Sequence, residues 1–315
     1  MVTAIPIADE AAAREAILWA LAERHTLEVR AQGSKRGLGR PPAADCVLDL
    51  SRLCGVVDYQ PAELVLKARP ATPLAEIETL TGGFHQRLAF EPPDYGPLYG
   101  GPPGQGTLGG ALACNLSGPR RISAFAARDH FLGMRAVSGR GEAFKAGGSV
   151  VKNVTGYDLC KLLAGSYGTL AVLTEITVRV SPSAEKTRTV LIFGLDAARA
   201  VEALTAALAS PFEVSGAAYL PASLARGSAV DYVGAAGAAV AALRLEGIAP
   251  SVLARTDALA ELMAPFGAVE ELHGKNSTLL WREVRDGALL PSNAALWRVS
   301  LPPAQAPAFL AAIGA

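Results

Sequence analysis

The chain has 315 residues, half of them apolar and 18% charged, with 29 basic and 29 acidic side chains. That length carries two domains and a sizeable core. A formal net charge of zero argues against nucleic acid or an anionic membrane as the main partner, and no unbroken apolar window of about 18 residues is present to span a bilayer.

The opening MVTAIPIADEAAAREA lacks the basic-then-apolar order of a signal peptide, so a cytoplasmic protein is expected. Asp9 to His25 reads as a helix with Ile17, Leu18 and Leu21 on one face. Short strands are predicted at Leu27 to Arg30, Cys46 to Asp49, from Gly55 to Tyr59, and at Leu64 to Ala68. Thr72 and Pro73 then open a helix, as N-cap and first residue, lined by Leu74, Ile77 and Leu80 and ended by Gly82 and Gly83. Phe131 to Val137 and Glu142 to Lys145 form a predicted hairpin around Gly139-Arg140-Gly141. Leu159 to Ala164 reads as a short helix, and Leu170 to Val180 as a long strand closed by Ser181-Pro182.

Pro182 to Glu185 is the expected domain boundary. Beyond it come a strand (Thr189 to Phe193), a helix (Ala197 to Ala209) and two strands (Val214 to Leu220, Ala238 to Leu245). A helix (Val252 to Met263) and a strand (Ala268 to Leu272) follow. This β-α-β-β-α-β order reads as a ferredoxin-like layer. A polar helix with Trp281, Arg282 and Arg285, a strand from Leu296 to Leu301, and part of a helix from Gln305 to Ala315 complete the chain. The fold class is α+β.

The chemistry-bearing stretches are loops. Gly104 to Arg121, GQGTLGGALACNLSGPRR, is glycine-rich backbone that suits close approach to a ligand. Gly104, Gly106 and Gly109 spell G-x-G-x-x-G, but the proline-broken EPPDYGPLYGGPP before it is no strand. Asp129, at a suitable distance, ends no hydrophobic strand either, so a Rossmann reading fails. Gly33 to Gly39, with Ser34, Lys35, Arg36 and Arg40, can form a nest of amides for a phosphate. Gly147 to Leu170 holds Lys152-Asn153-Val154-Thr155-Gly156-Tyr157-Asp158 and Gly165-Ser166-Tyr167-Gly168-Thr169. Cys46, Cys54, Cys114 and Cys160 are scattered and read as reduced, buried thiols. His25, His85, His130 and His273 are equally dispersed, so no metal site is expected.

Three sequences, QGSKRGLGR, EPPDYGPLYGG with GTLGGALACNLSGPRR, and VVKNVTGYDLCKLLAGSYGTLAVLTEITVRVSP, resemble the FAD-binding domain of the vanillyl-alcohol oxidase (PCMH-type) flavoprotein superfamily. The resemblance covers most of residues 1–182. With NLSGPRR, GYDLCKLLAGSYGTLAV and LWRVSLPP, it is strongest to the smaller flavin-domain subunits of glycolate oxidase (dehydrogenase) complexes. It implies a PCMH-type FAD-binding domain over 1–182, made of two α+β subdomains. A ferredoxin-like α+β cap domain over 183–315 follows, shortened at its C-terminus.

The same resemblance implies site residues. Gly33, Ser34, Lys35, Gly37 and Leu38 would cradle the FAD pyrophosphate, and Pro92 and Pro93 would border the cofactor beside Gly109 and Gly110. Asn115, Ser117 and Gly118 would hold the flavin side, with Asp129 close by. Gly156, Tyr157, Asp158, Gly165, Ser166, Gly168 and the backbone near Ile176 would enclose the adenine, ribose and pyrophosphate. FAD would be held non-covalently. The implied partners are a larger flavoprotein subunit, an iron–sulfur subunit and a small 2-hydroxy acid, in a cytoplasmic complex peripheral to the inner membrane.

Three departures mark the chain. Tyr167 stands where catalytic members of the superfamily usually have Glu, and Ala171 where they have Gly. No cluster of histidines and acids like their metal-assisted hydroxy-acid site is evident in the second half, and no Phe-Asn-Pro-Gly-Arg type ending is present. No catalytic residue is assigned. Arg282, Arg285 and Arg298 are candidate carboxylate anchors; a non-catalytic scaffold or electron-transfer subunit and a stand-alone FAD oxidoreductase are the alternative readings.

Overall fold

The two segments with the clearest apolar alternation, around Phe131 and Leu170, lie side by side at the centre of a sheet. The structure, a computed structural model, describes residues 3–40, 42–148, 156–291 and 294–314. Lys152, Asn153, Val154 and Thr155 of the third loop lie outside the described residues. The chain divides into two compact units, Met1–Gly118 with Phe125–Ser183 and Pro119–Ala124 with Ala184–Ala315. Pro119–Ala124 thus groups with the second unit although it lies well inside residues 1–182.

In the first unit, β1 (Thr3–Pro6), β2 (Leu27–Arg30) and β3 (Cys46–Asp49) form a parallel sheet in the order β1-β3-β2. Parallel strands need crossover connections, and α1 (Glu10–Glu23) is the one from β1 to β2, which flank β3. The Asp9 carboxylate caps that helix by accepting from the Ala12 amide at 2.8 Å. Ala13 and Ile17 then pack against Ile7 and Leu48.

The larger sheet contains β4 (Val56–Gln60), β5 (Val65–Ala68), β7 (Phe131–Ser138), β8 (Ala143–Gly147) and β9 (Ala171–Arg179). It is antiparallel, in the order β4-β5-β9-β7-β8. A short β6 (Gln86–Arg87) pairs with β10 (Ser181–Pro182). Because side chains alternate along a strand, the sheet packs on both faces. Met134, Ala136, Ile176 and Val178 join the core with α2 (Leu74–Gly82), α3 (Leu108–Ala113) and, after α4 (Arg121–Ala124) of the second unit, α5 (Leu159–Leu163). Val137 and Val172 pack instead with the residues of α1 and β3.

The second unit is a four-stranded antiparallel sheet of β11 (Lys186–Phe193), β12 (Gly216–Leu220), β13 (Val240–Gly247) and β14 (Val269–His273) in the order β12-β13-β11-β14. With α6 (Ala197–Ala209) after β11 and α9 (Ala249–Met263) after β13, this is the ferredoxin-like order expected from the sequence. The β12–β13 connection adds two short helices, α7 (Ala222–Ala225) and α8 (Asp231–Gly234); with α10 (Gly274–Asp286) they contribute to the second core of the unit. On this side Arg244 stacks on Trp281 at 4.6 Å, and the Trp281 indole donates to Thr189 at 2.8 Å. The Arg120 guanidinium donates to both oxygens of Glu246, at 2.9 and 3.1 Å.

Several expectations are corrected. Thr72 is not the cap of α2: that place falls to Pro73, and the buried Thr72 hydroxyl faces the Arg69 carbonyl of the preceding turn at 2.7 Å and the more distant Gly55 carbonyl at 3.1 Å. No strand forms at Leu296 to Leu301, where the described backbone is irregular and mostly exposed before α11 (Ala306–Ile313). A strand needs a neighbour, and none among the described strands lies beside this segment. Trp281 is core, whereas Trp297 is 89% exposed. Cys46 and Cys160 are buried, but Cys54 is exposed and Cys114 half-buried.

Candidate cofactor site

The chain leaves β2 at Arg30 and turns through Gly33 to Gly39. Two turn bonds shape the loop: the Arg36 amide donates to the Gly33 carbonyl at 3.1 Å, and Leu38 to Lys35 at 3.0 Å. The Arg36 guanidinium fixes its outer side by a bidentate bond to Glu28, at 2.8 and 3.1 Å. The amides of Ser34, Lys35 and Gly37 donate to no oxygen among the described residues. A run of free N–H groups is the donor set that an anion fills.

Across from this loop stands the start of α3, stitched to the start of α2. Leu74 donates to the Gly106 carbonyl at 2.9 Å, Leu108 to Thr72 at 3.0 Å, and Gly109 to Pro70 at 2.8 Å. Thr107 caps α3 by accepting from the Gly110 amide at 3.2 Å. Leu108, Ala111 and Leu112 point into the core, which leaves Gly110 and Cys114 on the open side. The glycines of this run serve different ends. A Cβ on Gly109 would meet the Pro70 ring and carbonyl at 2.7 and 2.8 Å, so Gly109 is required by packing. A Cβ on Gly110 would lie 3.3 Å from the Lys35 amine, on the ligand side. Gly37 makes room for Tyr99, whose ring a Cβ would strike at 2.6 Å.

Between loop and helix lies a cavity of about 530 Å³, within the size range of pockets that take organic ligands. Of the residues named from sequence, Gly33, Ser34, Lys35, Leu38, Gly109, Gly110, Ser166 and Gly168 line it. Lys35 is the cation among them that faces Gly110. Burial pushes its pKa down, opposed by Cys114 and Asp94 nearby, and an anion in the cavity would oppose that burial cost further. Cys114 also lines the cavity; burial raises its pKa, with Lys35 pulling the other way.

The other named residues stand outside this wall. Pro92 and Pro93 are buried. Asn115 and Ser117 close the base of a loop by accepting from the Arg128 and Ala127 amides, at 3.1 and 2.8 Å. Gly118 donates to Phe90 at 3.0 Å, and Asp129 accepts from the Ala126 amide at 3.0 Å. Gly156 and Tyr157 are exposed, Asp158 caps α5 through the Lys161 amide at 3.0 Å, and Gly165 donates to the Leu112 carbonyl at 3.2 Å. Ile176 is fully buried in the sheet core; the cavity is lined earlier on β9, by Leu173 and Ala171. Sequence reasoning missed those two, together with Thr107, Cys114 and Tyr167. Their signal was adjacency to the glycines in the second and third loops.

An FAD binding domain family matches residues 5–147. The glycolate oxidase subunit GlcE of Escherichia coli is 35% identical over 91% of this chain and 72% of its own length. The chain belongs to the FAD-binding GlcE family. An uncharacterized FAD-linked oxidoreductase of Mycobacterium tuberculosis is 31% identical over 60% of this chain and 40% of its own. Two solved structures share the fold: an alkyldihydroxyacetonephosphate synthase (TM-score 0.69, 15% identity) and p-cresol methylhydroxylase (TM-score 0.66, 14% identity). Each covers 90% of this chain, which spans 54% and 61% of their respective lengths.

FAD is therefore the cofactor of this FAD-binding oxidoreductase family member, and the cavity fits it. The free amides and Lys35 match a pyrophosphate, and the bare face of Gly110 leaves room beside them. Among the described residues no three His, Cys, Asp or Glu side chains gather as metal ligands, and no helix is long and apolar enough to cross a membrane. Of the arginines considered as anchors, Arg282 and Arg298 are exposed, and Arg285 makes a bidentate pair with Asp286 at 2.8 Å.

Proposed function

We propose that this chain is the FAD-binding subunit of a multi-subunit glycolate (2-hydroxy acid) oxidase or dehydrogenase, which passes electrons to partner subunits. The observation that carries the reading is the relationship to GlcE along 91% of the chain, joined to a first unit whose free amides and half-buried lysine suit a dinucleotide. A Bacillus subtilis glycolate oxidase subunit, GlcD, is also 33% identical over 38% of this chain, which supports a larger flavoprotein as partner. An iron–sulfur subunit completes the complex in this reading, and the assembly works in the cytoplasm or at the inner face of the membrane. Residues 183–315 are an α+β cap domain in this reading.

Bound FAD supplies a two-electron acceptor for the hydride of a hydroxy acid. The chain's part is to hold it: Ser34, Lys35 and Gly37 offer donors to the phosphates, and Gly110 keeps space beside Lys35. Attachment is non-covalent. Cys114 is the cysteine lining the cavity, no histidine among the described residues lines it, and burial keeps that thiol protonated and weakly nucleophilic. The test is to load the purified chain with FAD, precipitate it with acid, and separately add glycolate to the chain alone and with its partners. Yellow supernatant, and flavin bleaching in the complex only, are expected. A colourless chain that takes up no FAD would overturn the reading, and a yellow pellet would overturn non-covalent attachment.

A further inference from the structure

We propose that Tyr167 is a stacking residue for the adenine ring of the dinucleotide, an inference that rests on the FAD reading of the cavity. Tyr167 sits in the left-handed region at φ 55, between Gly165 at φ +87 and Gly168 at φ +74. Non-glycine residues avoid that region unless the surroundings hold them there. Here two bonds do so: Gly165 donates to the Leu112 carbonyl at 3.2 Å and Tyr167 to Ala113 at 2.8 Å. The turn is thereby fastened to the C-terminal end of α3. Its other side rests on β2, since a Cβ on Gly168 would lie 3.4 Å from the Val29 side chain.

This construction spends an unfavourable backbone conformation on a side chain with little packing of its own. Tyr167 is 57% exposed, yet it lines the cavity. A glycine or asparagine would suit the turn better. An aromatic ring gains at such a place by covering the face of another ring, and stacking is tolerant of which base it meets.

The choice between the two ring systems of FAD follows from chemistry. The turn rests on Val29, and Val29, Leu27, Leu50 and Leu173 give the cavity much of its apolar lining. Adenine does no chemistry and suits such a lining, whereas the isoalloxazine must stay open to the electron donor. The amides of Ser34 and Lys35 lie in the same cavity, as a pyrophosphate neighbouring that adenosine requires.

The experiment uses the full chain with FAD and, separately, ADP as probes. Tyr167→Ala is expected to weaken FAD and ADP binding alike, by about 5- to 150-fold. Tyr167→Phe should keep both within about threefold of the original, because the stacking face remains. Tyr167→Gly should leave the melting temperature of the FAD-free chain unchanged or higher, since glycine relieves the backbone, while the stabilisation conferred by FAD shrinks. Weakened FAD with unchanged ADP affinity and brighter bound-flavin fluorescence would place Tyr167 on the isoalloxazine and overturn the proposal. A fall in FAD-free stability with unaltered ligand affinity would make the residue structural and overturn it too. Failure of the unsubstituted chain to take up FAD would instead defeat the cofactor reading beneath it.

Discussion

Gly109 and Gly110 are neighbours in one short helix, and the consequences of adding a side chain to each should separate cleanly. At Gly109 the new Cβ would lie 2.7 to 3.0 Å from Pro70 ring and backbone atoms, none of which can swing away. Gly109→Ala is therefore expected to destabilise the chain by about 1–3 kcal/mol, the usual cost of overpacking, as read by denaturant unfolding without FAD. At Gly110 the nearest atoms are the Thr107 hydroxyl at 3.1 Å and the Lys35 amine at 3.3 Å. Gly110→Val should displace Lys35 and abolish FAD retention on desalting, with a change in FAD-free stability of less than about 1 kcal/mol. Equal stability losses in both variants, or full FAD occupancy in Gly110→Val, would contradict this division. Sequence put both glycines beside the cofactor, because a glycine-rich run announces close approach without saying to what. What Gly109 approaches is Pro70, 39 positions earlier, and only the stitching of α2 to α3 reveals it.

At the scale of elements, one contact ties α1 to the large sheet of the first unit. The Glu10 carboxylate accepts from Arg135 on β7 at 2.7 and 3.1 Å and from Thr174 on β9 at 3.0 Å. The Arg135 hydrogen bond, the largest cause, holds the Glu10 pKa below its ordinary 4.5. A carboxyl lowered on folding contributes stability above its unfolded pKa and loses it as the pH falls through the folded value. Glu10→Gln should accordingly flatten part of the decline in stability below about pH 4.5. Near neutral pH it should cost no more than about 1 kcal/mol, because half-exposed Arg135 is well screened. Urea titrations across the acid range would show it, and an unchanged acid limb would mean that other carboxylates carry the transition. Elements such as β7, β9 and the strands of the second unit were legible because their alternation is a property of the local sequence. β1 was not: four residues, TAIP, become a strand through pairing with Cys46–Asp49 some forty positions away. The opposite error at Leu296 to Leu301 has the same origin, since strand propensity without a partner makes no strand.

For the whole molecule, the question is whether one chain can both hold FAD and complete the oxidation of a hydroxy acid. The donors that suit the phosphates are legible in the sequence and are assembled within the first unit, but the arginines picked out as substrate anchors are exposed or paired with a neighbour. In the second unit the half-buried Arg120 bonds to Glu246, and the buried Arg244 to Ser215, instead. Their cue was the charged pair inside the apolar strand Val240–Gly247, which periodicity alone reads as an interruption. Removing one member of such a buried group leaves a charge uncompensated, so these residues are assigned to holding the unit together. Trp297, on the irregular segment before α11, presents the opposite case: a large aromatic with 89% of its surface exposed, of the type enriched where proteins meet. On these grounds the purified, FAD-loaded chain is expected to oxidise glycolate with an artificial dye at a few per cent or less of the rate of the reconstituted complex. Trp297→Ala should leave FAD content unchanged and weaken assembly with the larger flavoprotein, measured by co-purification. Turnover by the chain alone equal to that of the complex would replace the subunit reading with a stand-alone oxidoreductase, and undiminished assembly of the Trp297 variant would move the partner's footprint elsewhere on the surface.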